Sequence, residues 1–183
     1  MRRGKHAAKK PVWREHLESI VLGVALALII RAFIIQAYKI PSGSMRPTLI
    51  EGDRLMVNKF LYRFRPPRRG DIIVFKYPEE RKREFIKRLI GVSGDVISIR
   101  EGRVIVNGEI LDGPPFDVIA YANRGSLEDP QASITVPPAM YFVLGDNSTS
   151  SRDSRFWGFV PKEDVIGKAL VIFWPIQRWR VVR

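Results

Sequence analysis

Two serines flank a glycine at Ser42-Gly43-Ser44, inside the stretch Ile40–Leu49, IPSGSMRPTL. Pro41 and Pro47 bracket them. Proline fixes its own φ and pushes its predecessor towards extended backbone. Gly43 permits a backbone geometry that a side chain forbids. Such a loop can present a serine nucleophile, and it can equally be an ordinary turn. The sequence has no cysteine. That removes a cysteine nucleophile, a thiolate zinc site and a disulfide framework. The only histidines, His6 and His16, both precede a long apolar run. A Ser-His-Asp triad in the region after that run is excluded, and a serine there needs another base, for which lysine is the substitute.

A lysine base must be neutral at working pH, and burial among apolar groups lowers its pKa from about 10.4. In a strand reading of Glu84–Ile90, side chains alternate between faces. Phe85, Lys87 and Leu89 share one face, while Glu84, Ile86, Arg88 and Ile90 share the other. Lys87 thus has apolar neighbours on both sides, and Arg88 points the other way. An exposed edge-strand lysine is the alternative on this pattern. Lys59 and Lys76 are weaker rivals, the latter lying near a proline turn.

The elements that must hold these groups follow from the rest of the chain. Residues 1–16 form a basic tail, with Arg2, Arg3, Lys5, Lys9, Lys10 and Arg14 against Glu15. Residues 17–37, LESIVLGVALALIIRAFIIQA, are long enough as a helix to match a bilayer's hydrocarbon thickness of about 30 Å. Arg31 inside the run costs roughly 2.5–3.5 kcal/mol at a membrane centre and less near an end. A transmembrane anchor is expected, with its basic flank in the cytoplasm and residues 38–183 outside. A cleaved signal peptide is the competing reading, but Gln36-Ala37-Tyr38 is a poor cleavage pattern. The net charge of +12 suits anionic partners. With an anchor present, anionic lipid is expected rather than nucleic acid.

Beyond residue 38 the chain reads as mainly β, with short strands and Gly/Pro turns. Strands are expected at 54–59, 71–77, 84–90, 141–144 and 169–174, with a basic turn at 81–83. Val96–Arg100 and Arg103–Asn107 read as a hairpin across Glu101-Gly102, followed by a turn at Asn107-Gly108. Residues 111–138 are a small subdomain or a long excursion.

The segments IPSGSMRPTL, GDRLMVNK, RGDIIVF, KRLIGVSGD and GDNSTSSRDSRFWGFVP occur in the order seen in bacterial type I signal peptidases, which the chain resembles over roughly residues 15–175. These are membrane-anchored serine-lysine endopeptidases that remove signal peptides from exported proteins. The resemblance implies a transmembrane helix followed by an antiparallel β-sheet catalytic domain, with a small β insertion at about 96–140. It implies Ser44 as nucleophile, Lys87 as general base, and the Ser42 hydroxyl with the Ser44 backbone N–H as oxyanion hole. Ser151 matches a serine that hydrogen-bonds the lysine, and Asp153 and Arg155 match a structural ion pair. Tyr38, Ile40, Met45, Leu49 and Phe85 match walls of the substrate pocket. The implied reaction passes through an acyl-enzyme, with an extended substrate carrying small side chains at the first and third positions before the cut. No metal, nucleotide or other cofactor is implied. The partners are signal peptides of exported preproteins and anionic membrane lipid.

Two departures stand out. Gly91-Val92-Ser93-Gly94 lacks the family's usual proline before the second glycine, and Ser148-Thr149 replaces the usual Arg-Asp after Gly145-Asp146-Asn147. Two other classes are weighed. A self-cleaving serine-lysine repressor would need a DNA-binding domain where residues 1–38 offer an anchor. A non-enzymatic peptide-binding β domain would tolerate loss of Ser44 or Lys87, and both are present.

Overall fold

The computed structural model describes residues 12–182. The basic tail before Val12 lies outside the described residues. A single helix, α1 (Val12–Phe33), comes first. Its apolar side chains Leu17, Ile20, Val21, Leu22, Val24, Leu26 and Leu28 are all exposed. The expected helix over 17–37 is corrected at its end, because Ile35–Lys39 is strand β1. Alternation of Ile35, Ala37 and Lys39 with Gln36 and Tyr38 lets that segment pair with a neighbouring strand. Among the described residues, no helix is long and apolar enough to cross a membrane.

Residues 35–183 form a second compact unit. Its strands are β2 (Arg54–Asn58), β3 (Ile72–Tyr77), β4 (Glu80–Gly91), β5 (Val96–Arg100), β6 (Arg103–Val106), β7 (Glu109–Ile110), β8 (Ile134–Thr135), β9 (Met140–Leu144), β10 (Val160–Pro161), β11 (Val165–Trp174) and β12 (Arg180–Val181). A short helix, α2 (Ser154–Trp157), precedes β10. The larger sheet runs β1-β2-β11-β3-β4-β9-β10, with β12 also on β11. Every pairing in it is antiparallel. The smaller sheet, β7-β6-β5-β8, draws its strands from Val96 to Thr135. Its two tight turns put Glu101-Gly102 and Asn107-Gly108 at positive φ, the geometry that a two-residue hairpin turn needs.

One correction concerns a strand limit. Arg81–Arg83 are not a turn but part of β4, because Pro78-Glu79 already reverses the chain. Residues 111–138, readable as a subdomain or an excursion, contain the 3-10 turn Gly125–Leu127 and strand β8 of the smaller sheet. Near the C-terminus, Arg180–Val181 form β12, antiparallel to β11.

The central position of β4 matters most. It lies between β3 and β9, with Lys87 opposite Ile73 and Arg88 opposite both Ile72 and Leu144. Its second half, from Lys87 to Gly91, is buried, while Glu80–Glu84 stay exposed. On one side Ile73, Phe75, Leu89, Tyr141, Val143 and Val160 pack together. Another cluster gathers Ile90 and Leu144 with Ile97, Ile99 and Val104 of the smaller sheet.

Candidate active site

The serine loop is closed at its base by backbone bonds. Ile40 N donates to Asp53 O at 2.8 Å, and Gly52 N donates to Ile40 O at 2.9 Å. Within it, Ser42 is extended and Gly43–Met45 form one 3-10 turn. Met45 is buried and fastens that turn to the core beside Leu49, Leu55 and Val57. The turn leaves Ser42 and Ser44 lining a cleft of about 580 Å³.

Ser44 and Lys87, 43 residues apart in sequence, meet across this cleft. Lys87 Nζ lies 2.6 Å from Ser44 Oγ. Lys87 is 4% exposed. Burial lowers its pKa from 10.5 to about 8, against the opposing pull of the Asp153 and Asp146 carboxylates. A neutral amine at hydrogen-bond distance from a hydroxyl can take its proton, and the hydroxyl can then attack a carbonyl. The rivals are not so placed: Lys76 is exposed, and Lys59 Nζ donates to Gln36 Oε1 at 3.2 Å.

The segment after β9 holds both groups in place. Asn147 grips the serine loop twice. Its backbone N–H donates to Ser44 O at 3.1 Å, and its side-chain Nδ2 donates to Gly43 O at 3.0 Å. A methyl group on Gly145 would collide with both the Ser44 carbonyl oxygen and Ser151 Oγ, so only glycine allows this approach. Asp146 receives a two-pronged ion pair from Arg88, at 2.8 and 2.6 Å, with both side chains fully buried. Thr48 Oγ1 also donates to Asp146, at 2.5 Å. The Lys-Arg pair on β4 therefore binds both loops, Lys87 reaching the serine turn and Arg88 the 145–147 segment.

Asp153 and Arg155 form the expected ion pair, also fully buried, at 2.8 Å. Asp153 caps α2 and accepts from Gly145 N at 3.0 Å. Arg155 reaches on to Ser148 and the Ala122 carbonyl. Ser148, one of the two departures from the usual motif, is thus a built-in partner of Arg155. Ser151 is buried nearby, but its Oγ has no hydrogen-bond partner among the described residues. The expected bond from Ser151 to Lys87 is not formed in this structure.

The residues expected as pocket walls take different places. Phe85 lines the cleft, together with Pro41 and Ile86. Ile40, Met45 and Leu49 are buried in the core beneath it, and Tyr38 packs against that core. Buried Ile40, Met45 and Leu49 support the serine turn from within, whereas Tyr38 is only half-buried. Sequence reasoning missed Arg88, Asp146 and Asn147. The signal for Arg88 was its flanking by Ile86 and Ile90 on its own strand face; Asp146 and Asn147 carried only a turn signature. No cluster of potential metal ligands occurs among the described residues.

Comparison with known proteins gives a consistent result. The family model for signal peptidases, peptidase S26, matches residues 13–174. A signal peptidase I of Leptolyngbya laminosa is 44% identical over 90% of this chain and 81% of its own length. A probable signal peptidase I-2 of Synechocystis is 41% identical over 95% of this chain and 79% of its own. A signal peptidase I of Aquifex aeolicus is 34% identical over 88% and 84% respectively. With its antiparallel β architecture and a match spanning both the serine turn and β4, the chain belongs to the signal peptidase family, peptidase S26.

Proposed function

We propose that this protein cleaves signal peptides from exported preproteins, with Ser44 as nucleophile and Lys87 as general base. One observation carries the assignment of roles: a buried lysine amine 2.6 Å from a serine hydroxyl that opens on a cleft. Neutral Lys87 takes the Ser44 proton as Oγ attacks the scissile carbonyl. The carbonyl oxygen becomes an oxyanion held by the Ser44 backbone N–H and the Ser42 hydroxyl, a side chain that makes no capping bond of its own. The new amine leaves with a proton from Lys87, and the acyl group stays on Ser44. Water, deprotonated by Lys87, then releases the signal peptide. Phe85, Ile86 and Pro41 offer an apolar wall for small side chains before the cut. No metal or cofactor takes part in this scheme.

We further propose that α1 attaches the enzyme to the cytoplasmic membrane, with the β unit on the outer face. The support is the basic residues before Leu17 and the exposed apolar side chains along α1. Anionic lipid is the expected surface.

The test is cleavage of a preprotein bearing Ala-x-Ala, in detergent, with product masses measured. The wild type should cut after the second alanine, and Ser44→Ala and Lys87→Ala should both be inactive. Cleavage that survives either substitution would mean the roles are wrongly assigned.

A further inference from the structure

The serine turn has two sides. One faces the cleft with Lys87, Phe85 and Ile86. On the other lies a second hollow, of about 330 Å³, lined by Ser42, Ser44, Arg46, Glu51, Asn147 and Ser150. Ser42 and Ser44 belong to both, so the turn is the ridge between them. A peptide attacked at Ser44 must continue past the ridge in both directions. On the reading given above, the small side chains before the cut occupy the apolar cleft. The chain after the cut then leaves over the second hollow, where the side chains are all polar.

The most prominent feature of that hollow is an ion pair. Arg46 Nε donates to Glu51 Oε2 at 2.8 Å, with Nη2 at 2.7 Å from the same oxygen. Both side chains remain accessible, at 57% and 41%. The pair lies directly on the turn: a methyl group on Gly43 would come within 2.8 Å of Glu51 Oε1 and 3.1 Å of Arg46 Nε. Neither group is buried, so either can exchange its partner for a charged group on a passing chain at small desolvation cost. We propose that this hollow is the subsite for the first residues of the released mature protein, and that the Arg46–Glu51 pair determines which side chains it accepts there. Arg46 receives acidic side chains, Glu51 receives basic ones, and an apolar side chain leaves the pair to be desolvated without a partner. This proposal rests on the signal-peptide reading.

The test uses the full-length enzyme in detergent and four matched preproteins. They differ only in the second residue after the cut, which is Glu, Lys, Ala or Leu. Wild type should process the Glu and Lys substrates about three- to fivefold faster, by kcat/KM, than the Leu substrate, the scale set by exposed ion pairs. Arg46→Gln should lower kcat/KM selectively for the Glu substrate, and Glu51→Gln selectively for the Lys substrate. Arg46→Glu combined with Glu51→Arg rebuilds the pair over Gly43 and should restore processing of both charged substrates. These differences should shrink in high salt, because exposed charges are screened within about 10 Å at 0.1 M and less above it. Because the pair also rests on the serine turn, either single substitution can lower all four rates together. Such a uniform loss, with no redistribution among substrates, would overturn the subsite and leave the pair as a support only. Equal wild-type rates on all four substrates would overturn it too. Failure of wild type to cut any of them would instead remove the signal-peptide reading on which the subsite depends.

Discussion

Lys87 carries two consequences at the scale of a single residue. Its amine must be neutral to act as a base, and its pKa is near 8. Activity should therefore rise with pH through about 8 and level off above it, as a kcat/KM profile on a single preprotein would show. The same shift acts on stability. The unfolded lysine holds its proton up to 10.5, while the folded one loses it near 8. Between those values unfolding takes up a proton, so this group's contribution to stability improves as pH rises through that window. Below pH 8 the folded chain bears the full cost of a buried ammonium, about 3 kcal/mol at 1.36 kcal/mol per pKa unit. Lys87→Met should thus be inactive yet more stable than wild type at pH 7, by up to that amount. The advantage should vanish near pH 10.5, and denaturant melts at the two pH values would check it.

The element that matters most is β4, together with the segment that follows β9. Lys87 and Arg88 point to opposite faces of one strand, and each ties down a different loop. Asp146→Ala leaves the Arg88 guanidinium fully buried without its carboxylate, and should destabilise the fold by about 3–5 kcal/mol. Replacing both partners, with Arg88→Met and Asp146→Leu, should cost much less, because no charge is then left unpaired. Thermal melts of the single and double variants would separate the two outcomes. Asn147→Ala removes one bond to the Gly43 carbonyl but keeps the backbone bond to Ser44. It should lower kcat by about tenfold with little change in KM, since a loosened turn misplaces the nucleophile rather than the substrate.

At the scale of the whole molecule, α1 and the β unit are separate compact bodies. Deleting the chain before Ile35 should leave the melting temperature of the β unit within a few degrees of the full chain's. It should also abolish sedimentation with anionic vesicles, if α1 is what holds the protein to lipid. A truncated protein that still pellets with vesicles would place the attachment elsewhere, for instance at exposed Trp174, Ile176 and Trp179 near the C-terminus.

Much of the site was legible before any fold was known. Absence of cysteine and the position of both histidines left a serine nucleophile in need of another base. Strand alternation put Lys87 between apolar neighbours while leaving an exposed edge-strand lysine open; the family resemblance then gave it the role of base. The hairpin at 96–107 was legible too, because Glu-Gly and Asn-Gly turns are local events. Tertiary structure alone decided what lies behind those groups. Alternation put Arg88 on the face opposite Lys87, beside Ile86 and Ile90, but does not say whether that face is covered; β9 and the smaller sheet enclose it. Ile40, Met45 and Leu49 read as pocket walls, but loop closure turned them inward to the core. The meeting of Ser44 with Lys87, and the grip of Asn147 on the serine turn, depend on contacts between segments 43 and 104 residues apart. Such contacts are set by sheet order and register, which no local pattern encodes.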